Sequence, residues 1–155
     1  MGQHEIRLRP ITEADAPFLR ELYGSTRAEE LAPVPWSEEQ KRAFLDMQFR
    51  AQTVHYAQHY GDGEFLMIEE GERPIGRLLL HRTAGEIRII DISLMPEARG
   101  RGIGTKLLHD VLAEADASKR RVSIHVENFN PARRLYERLG FRYVETNGVY
   151  HLMVR

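Results

Sequence analysis

The spacing of apolar positions switches repeatedly between two periods along this chain, and each switch marks an element. Residues 5–9 (EIRLR) alternate charged and apolar positions, which suits an edge strand ended by Pro10. Thr12 is placed to cap a short helix running through Phe18, Leu19 and Leu22, with Asp15 at its positive end. After the Pro-rich break APVPW at 32–36, Ser37 and Gln40 form a capping-box signature. The helix they open carries Phe44, Leu45, Gln48, Phe49, Gln52 and Tyr56 on one face, which is expected to be buried. From residue 64 the period falls to two: EFLMIEE, IGRLLLHR and EIRIIDISLM, joined by short turns, predict an antiparallel meander. A glycine cluster at 100–104 precedes an amphipathic helix through Leu107, Leu108, Val111, Leu112 and Ala115 that ends near Ser118. The strand RVSIHVE (121–127) follows, then a helix starting at Pro131 and stopping at Gly140. FRYVE, a turn at Thr146-Asn147-Gly148 and VYHLMV close the chain as a hairpin. The order β, α, α, β, β, β, α, β, α, β, β predicts an α/β fold of the α+β kind, with about seven strands and about four helices.

Composition narrows what this pattern can serve. At 155 residues and 18.0 kDa the chain is expected to form one domain, 1–155, able to bury about two-thirds of its unfolded surface. Its 42% hydrophobic and 29% charged residues are those of an ordinary soluble globular protein. Twenty-two Lys plus Arg against 23 Asp plus Glu leave a net charge of -1, too little excess cation for a nucleic-acid binder. No stretch approaches the roughly twenty apolar residues that cross a bilayer, so no membrane partner is expected. The start MGQHEIRLRP has no apolar signal core, and Gly2 is followed by Ile6 where myristoylation wants Ser or Thr, so a cytoplasmic location is expected. Zero Cys excludes disulfides, Cys-bound zinc, iron–sulfur clusters and a thiol nucleophile.

Arg99-Gly100-Arg101-Gly102-Ile103-Gly104 lies between a strand and a helix, where bare backbone N–H groups converge on an anion. A phosphate is one reading and a flexible turn the other. The dinucleotide fingerprint fails because the third glycine comes one residue early, and the P-loop fails because Gly104 is followed by Thr105 and then Lys106. Ser93, Ser118 and Ser123 lack the G-x-S-x-G elbow of a hydrolase. His55 and His59 stand four apart on the second helix, but Tyr56 replaces the Glu of the zincin motif and no third ligand is identifiable, so no metal is expected.

Arg99, Gly102 and Gly104 meet the pattern R-x-x-G-x-G, which resembles the acetyl-CoA pyrophosphate motif of GNAT-type N-acetyltransferases. The segment Asn130-Pro131-Ala132-Arg133-Arg134-Leu135-Tyr136-Glu137-Arg138-Leu139-Gly140-Phe141 resembles the N-x-x-A-x-x-L-Y-x-x-x-G-F run of the same family. Two linked motifs are more specific than either alone, and the element order agrees over residues 5–154. The resemblance implies a mixed, mostly antiparallel sheet that splays between the strands at 86–95 and 121–127, with acetyl-CoA as cosubstrate and no metal. Backbone of Ile92, Ser93, Leu94 and Met95 would pair pantetheine, and Gly100, Arg101, Gly102, Ile103, Gly104 and Thr105 would cradle the pyrophosphate, with Arg99 beside them. A backbone N–H near Met95 would polarise the thioester. For Ile92 and Leu94, core packing is an equal reading. Arg99, Arg101 and Lys106 concentrate positive charge at this loop, and Lys119-Arg120-Arg121 is either a solvated turn or a second reach toward a CoA phosphate.

Direct transfer needs a neutral amine, and a lysine-like amine with a pKa of about 10.4 is less than about 0.1% neutral at pH 7. His125 occupies the place where some protein-acetylating members carry a catalytic Glu, and on its strand it shares a face with Ser123 and Glu127. A base and a hydrogen-bonded structural histidine are the two readings. Asp91 either orients an imidazole, binds a cationic substrate, or makes a structural ion pair with an arginine. The place of the glutamate base of histone-acetylating members falls on Arg88, which cannot serve as a base. Tyr136 matches the family tyrosine that protonates the leaving thiolate; the other reading is a half-buried aromatic. Asn130 would bind pantetheine, though it precedes Tyr136 by six residues instead of seven; Asn128 is a substitute, and Pro131 would absorb the shortening.

The first two helices and the last hairpin form the acceptor walls in the family, here Trp36, Phe44, Gln48, Gln52, Tyr56, Asn147 and Tyr150. Aromatics and amides without a carboxylate cluster suit a small molecule with polar and apolar parts, and equally a packed helix face; a small-molecule amine is the expected acceptor. A peptide acetyltransferase and a non-catalytic acyl-CoA-binding module are the alternatives. Zero Cys removes an acetyl-cysteine intermediate and favours direct attack in a ternary complex. The oligomeric state is open, with a homodimer as one option.

Overall fold

Among the described residues seven strands form one sheet in the order β1-β2-β3-β4-β5-β7-β6, and only β4 and β5 run parallel. The computed structural model describes residues 5–155 apart from 128, 129, 131 and 149, and all of their side chains but those of 127 and 147. Along the chain come β1 (Ile6–Pro10), α1 (Ala16–Leu31), α2 (Glu38–His59), β2 (Glu64–Glu70), β3 (Arg73–Arg82) and β4 (Glu86–Leu94). Next are α3 (Ile103–Ser118), β5 (Arg121–Glu127), α4 (Arg133–Arg138), β6 (Arg142–Asn147) and β7 (Tyr150–Val154). Every expected element is present in the expected order. Among the described residues no helix is long and apolar enough to cross a membrane. The expectations on Gly2, Asn128, Pro131 and the Asn147 side chain lie outside what is described.

Three features differ from the reading of the sequence. Pro10 lies inside β1, paired with Leu66, because an edge strand has a free side that tolerates a missing N–H. Helix α1 runs on to Leu31 instead of stopping at Leu22: Ser25 and Thr26 return their hydroxyls to the carbonyls of Leu22 and Tyr23 at 2.7 Å, so nothing breaks it before Pro33. Helix α2 has the expected capping box, with Gln40 N–H on Ser37 Oγ at 3.1 Å and Ser37 N–H on Gln40 Oε1 at 2.9 Å. Yet none of its 22 residues is buried. Its apolar stripe is half-covered because part of it faces a cavity.

The two faces of the sheet are packed unequally. Ile87, Ile89, Leu78 and Leu80 meet Leu107, Leu108, Val111 and Leu112 of α3 in the main core, which Tyr136 and Phe141 extend. The opposite face has a small cluster of Leu19, Leu22 and Met67, backed by Phe18, Phe49 and Met95.

Strands β4 and β5 pair only from Glu86 to Ile89, against Arg121 to Ile124. Beyond that they separate, and β5 continues with β7. The parting coincides with a bulge at Ile90, since Leu80 faces Ile89 while Leu79 faces Asp91. Glu86 accepts from Thr83 N–H at 2.8 Å and Met95 N–H donates to Ile75 O at 2.8 Å, so an even and an odd residue both face β3. Only the extra residue allows that. After the bulge the alternation turns the main-chain groups of Ile92 and Leu94 away from β3, into the gap. Gly76 of β3 permits the close approach at this level, because a Cβ there would stand 2.2 Å from Ser93 O.

Candidate active site

A cavity of about 1060 Å³ occupies the gap and reaches through the sheet. Tyr23, Gln48, Gln52, Tyr56 and Tyr60 line it from the α1 and α2 side; Gly104, Leu108, Leu135 and Tyr136 line it from the α3 and α4 side. The separation of two parallel strands therefore creates one chamber open to two elements of different chemistry: polar and aromatic groups on one side, backbone and apolar groups on the other.

On the α2 side the bulge sets Asp91 and Ser93 on the same face as Arg88. Arg77, itself buried, donates from Nε to Asp91 Oδ2 at 2.7 Å and from Nη2 to Gln52 Oε1 at 2.8 Å. Ser93 Oγ donates to the same Asp91 oxygen at 3.0 Å. Asp91 Oδ1 has no hydrogen-bond partner among the described residues. Of the sequence readings for Asp91, the ion pair with an arginine is the one seen; it does not orient His125. Arg88 donates from Nε to Ser123 Oγ at 2.6 Å and from Nη1 to His125 Nδ1 at 3.3 Å. Burial, followed by the Arg88 charge, holds the His125 imidazole below its ordinary pKa. Its Nδ1 lone pair is occupied by Arg88, which leaves no acceptor nitrogen for an incoming amine while that contact lasts.

On the far side, Tyr136 projects from α4 with its ring buried edge-on against Phe141, centroids 5.7 Å apart. Burial, with a smaller contribution from Asp91, raises its phenol pKa well above the ordinary value, so it stays protonated. Its hydroxyl makes no hydrogen bond among the described residues. Asn130 lines the cavity, but its Oδ1 accepts from Ala132 N–H at 2.9 Å and so also shapes the turn into α4.

At the glycine loop, Gly100 and Gly102 take φ of 71° and 81°, and a Cβ at either would meet nothing within 4 Å. Gly102 is the N-cap of α3 and no side chain caps it, so the first-turn N–H groups are left for a ligand. The arginines differ from expectation. Arg101 forms a two-toothed pair with Glu70, so its charge is matched, and Lys106 is exposed, 3.8 Å from Asp110. Arg99 donates from Nε to Leu94 O at 2.9 Å and from Nη2 to Ser25 Oγ at 3.3 Å, tying the loop to β4 and α1. Met95 N–H is donated to Ile75, and Ser93 faces β3, so of the four residues expected to pair pantetheine only Ile92 and Leu94 offer main-chain groups to the gap.

Gln48, Gln52, Tyr56 and Tyr150 line the cavity as expected. Trp36 and Phe44 stack on each other edge-on at 5.3 Å and are not among its lining. His55 lines it as well, with its ring 4.1 Å from that of His59. Among the described residues no group of three His, Cys, Asp or Glu is placed to hold a metal ion. Arg77 and Tyr60 escaped the reading of the sequence. A charge inside the apolar run IGRLLL was the available signal for Arg77, because a buried arginine demands partners.

A family model described as Acetyltransferase (GNAT) family matches residues 19–141. Mycothiol acetyltransferase of Corynebacterium glutamicum is 34% identical over 107 residues, covering 65% of this chain and 36% of that protein, so the chain spans about a third of that relative's length. Among solved structures, the PaiA N-acetyltransferase of Thermoplasma acidophilum in complex with coenzyme A superposes with a TM-score of 0.73 at 19% identity, covering 97% of this chain and 98% of the other. An acetyltransferase of Thermus thermophilus gives a TM-score of 0.69 at 25% identity, covering 100% and 99%. With its seven-stranded splayed sheet, its glycine loop capping α3 and a matching family model over most of its length, the chain belongs to the GNAT acetyltransferase family.

Proposed function

We propose that the protein transfers an acetyl group from acetyl-CoA to the primary amine of a small molecule by direct attack in a ternary complex. The observation that carries this is the cavity itself: one chamber joins the open edge of β4, the protonated Tyr136 and a polar wall. Bound acetyl-CoA supplies the activated acyl group. The N–H groups at the start of α3 would hold its pyrophosphate, with Gly100 and Gly102 keeping the approach clear. Ile92 and Leu94 would pair its pantetheine arm, and the Leu94 N–H would face the thioester oxygen where negative charge develops. The coenzyme A complex of the PaiA relative supports the placement of this ligand.

Asp91 Oδ1 would receive one N–H of the acceptor amine and hold its lone pair toward the thioester carbon. As the C–N bond forms, the carbon–sulfur bond breaks and Tyr136 gives its phenolic proton to the sulfur. The amine loses its extra proton to solvent through the open side of the cavity, and Tyr136 regains one from the same source. The products are the amide and free CoA thiol. In this reading His125 is not the base, because Arg88 already occupies its lone pair.

An acetyl-CoA consumption assay over amines, amino acids, aminoglycosides and peptides tests the proposal. Turnover confined to small amines is expected. Tyr136→Phe should lower kcat at least tenfold with CoA affinity nearly intact, and unchanged kcat removes the acid role. Tight CoA binding with no acceptor in the panel would instead favour a non-catalytic acyl-CoA-binding module.

A further inference from the structure

One group in the acceptor half of the cavity is unexplained by acetyl transfer as such: the guanidinium of Arg88. It is largely enclosed, with 19% of its side chain exposed, yet among the described residues no carboxylate hydrogen-bonds to it, and its ion pair with Glu86 is loose, Oε2 standing 3.8 Å from Nη2. Arg77, its neighbour across β3 and β4, is matched by Asp91 and Gln52. Arg88 instead contacts groups that can accept only by giving up a lone pair. It reaches Ser123 Oγ at 2.6 Å, His125 Nδ1 at 3.3 Å and Tyr60 Oη at 3.5 Å.

Hydrogen-bond direction then dictates the rest. A guanidinium only donates, so Tyr60 and His125 must accept from it. Neutral His125, accepting at Nδ1, carries its hydrogen on Nε2, and Tyr60 keeps its O–H to donate elsewhere. Arg88, His125 and Tyr60 all line the cavity. Together they present N–H and O–H donors, the chemistry that receives an anionic oxygen group. Among the described residues the charged groups around His125 are Arg88 and Glu86 of β4 and Glu145 of β6, and Arg88 acts on it more strongly than either carboxylate taken singly.

Resting on the acetyltransferase reading above, we propose that Arg88, Tyr60 and His125 form an anion-binding subsite, and that the acceptor is a small amine bearing a carboxylate or phosphate. The spacing follows from β4. Asp91, which would hold the amine, lies three residues beyond Arg88, and at a rise of about 3.3 Å per residue their Cα atoms are at most about 10 Å apart. An acceptor that spans this interval carries its amine and anion several bonds apart, as in an ω-amino acid or an aminoalkyl phosphate, and these are the acceptors we propose.

A ruler of acceptors tests this: glycine, β-alanine, 4-aminobutyrate, 5-aminovalerate and 6-aminohexanoate, each against its own amide, with aminoalkyl phosphates of matching length to separate the two anions. The expected result is at least a tenfold preference in kcat/KM for carboxylate or phosphate over amide, rising along the series beyond β-alanine. In Arg88→Gln that ratio should fall to near one, and Arg88→Lys should retain part of it. A wild-type ratio near one, or a ratio untouched by Arg88→Gln, overturns the proposal. A second readout is independent of turnover: the His125 imidazole, identified by NMR through His125→Gln, is titrated in the CoA-loaded protein with and without 5-aminovalerate. An upward shift of about half a pH unit or more is expected when the anion arrives, and no shift overturns the subsite. Acetyl-CoA left intact by every amine while His125 still shifts would refute the acetyltransferase reading and the acceptor role, leaving the anion site. Transfer to amides and carboxylates alike would refute only the inference.

Discussion

The two halves of β4 have the same backbone and nearly the same composition but opposite fates. Ile87 and Ile89 are fully buried between β3, β5 and α3, in a stretch of β4 that is paired on both edges. Ile92 and Leu94, two turns of the pleat further on, are only half-buried and face a partner that has moved away. One bulged residue, Ile90, separates the stabilising half from the half that works. A parallel strand pair left incomplete supplies main-chain donors and acceptors without weakening the core, because α3 still covers the apolar side chains beneath. The same division runs across the sheet: the α3 face holds the large core, while the α2 face carries the Arg77–Asp91 pair and a helix without a buried residue. The chamber is built where the packing stops.

That contrast can be broken from the closed half first. Ile89→Ala should cost about 2–5 kcal/mol of unfolding free energy, read from urea denaturation, because a fully enclosed side chain leaves a cavity. Ile92→Ala should cost clearly less and act mainly by raising the KM for acetyl-CoA; equal losses at the two sites would erase the distinction between the halves. Gly76→Ala should come next, at about 1–3 kcal/mol, because the new methyl meets Ser93 O and must push β4 aside. Gly102→Ala attacks the open end: at φ 81° an L side chain costs about 1 kcal/mol, so a modest fall in Tm with a larger loss of CoA affinity is expected. A normal CoA affinity would dissociate this loop from the ligand.

The smallest effect concerns His125. Its folded pKa lies below the ordinary value, so on acidification the unfolded chain takes up a proton more readily than the folded one. Stability from this group is present above about pH 6.5 and declines as pH falls below it. His125→Gln should flatten that acid-side slope slightly, while the limb of kcat/KM that rises with pH should persist. Loss of the limb would restore His125 as the base.

Much of this architecture was legible in the order of residues. The period change at residue 64, the capping box at Ser37 and Gln40, and the two linked motifs each depend on neighbours close along the chain. Those features yielded the element order, the glycine loop and Tyr136. Asp91 was legible as a candidate but not in its role, since its partner Arg77 arrives from the next strand. The reading of His125 as a base rested on its residue type and on the place where some family members carry a catalytic Glu, and neither says that Arg88 will occupy its nitrogen.

The set of elements, their order and the family follow from the chain alone, because periodicity and motif spacing are local and survive without knowledge of contacts. Which main-chain groups of β4 face the gap was settled in three dimensions, since a single bulge reverses the alternation beyond it. So was the question of which charges cancel. Arg101 looked like a ligand for phosphate until the fold set Glu70 beside it, whereas Arg88, unfit as a base, proved to be an enclosed cation to which, among the described residues, no carboxylate hydrogen-bonds. Charge balance depends on distances across the fold, and spacing along a chain does not encode them.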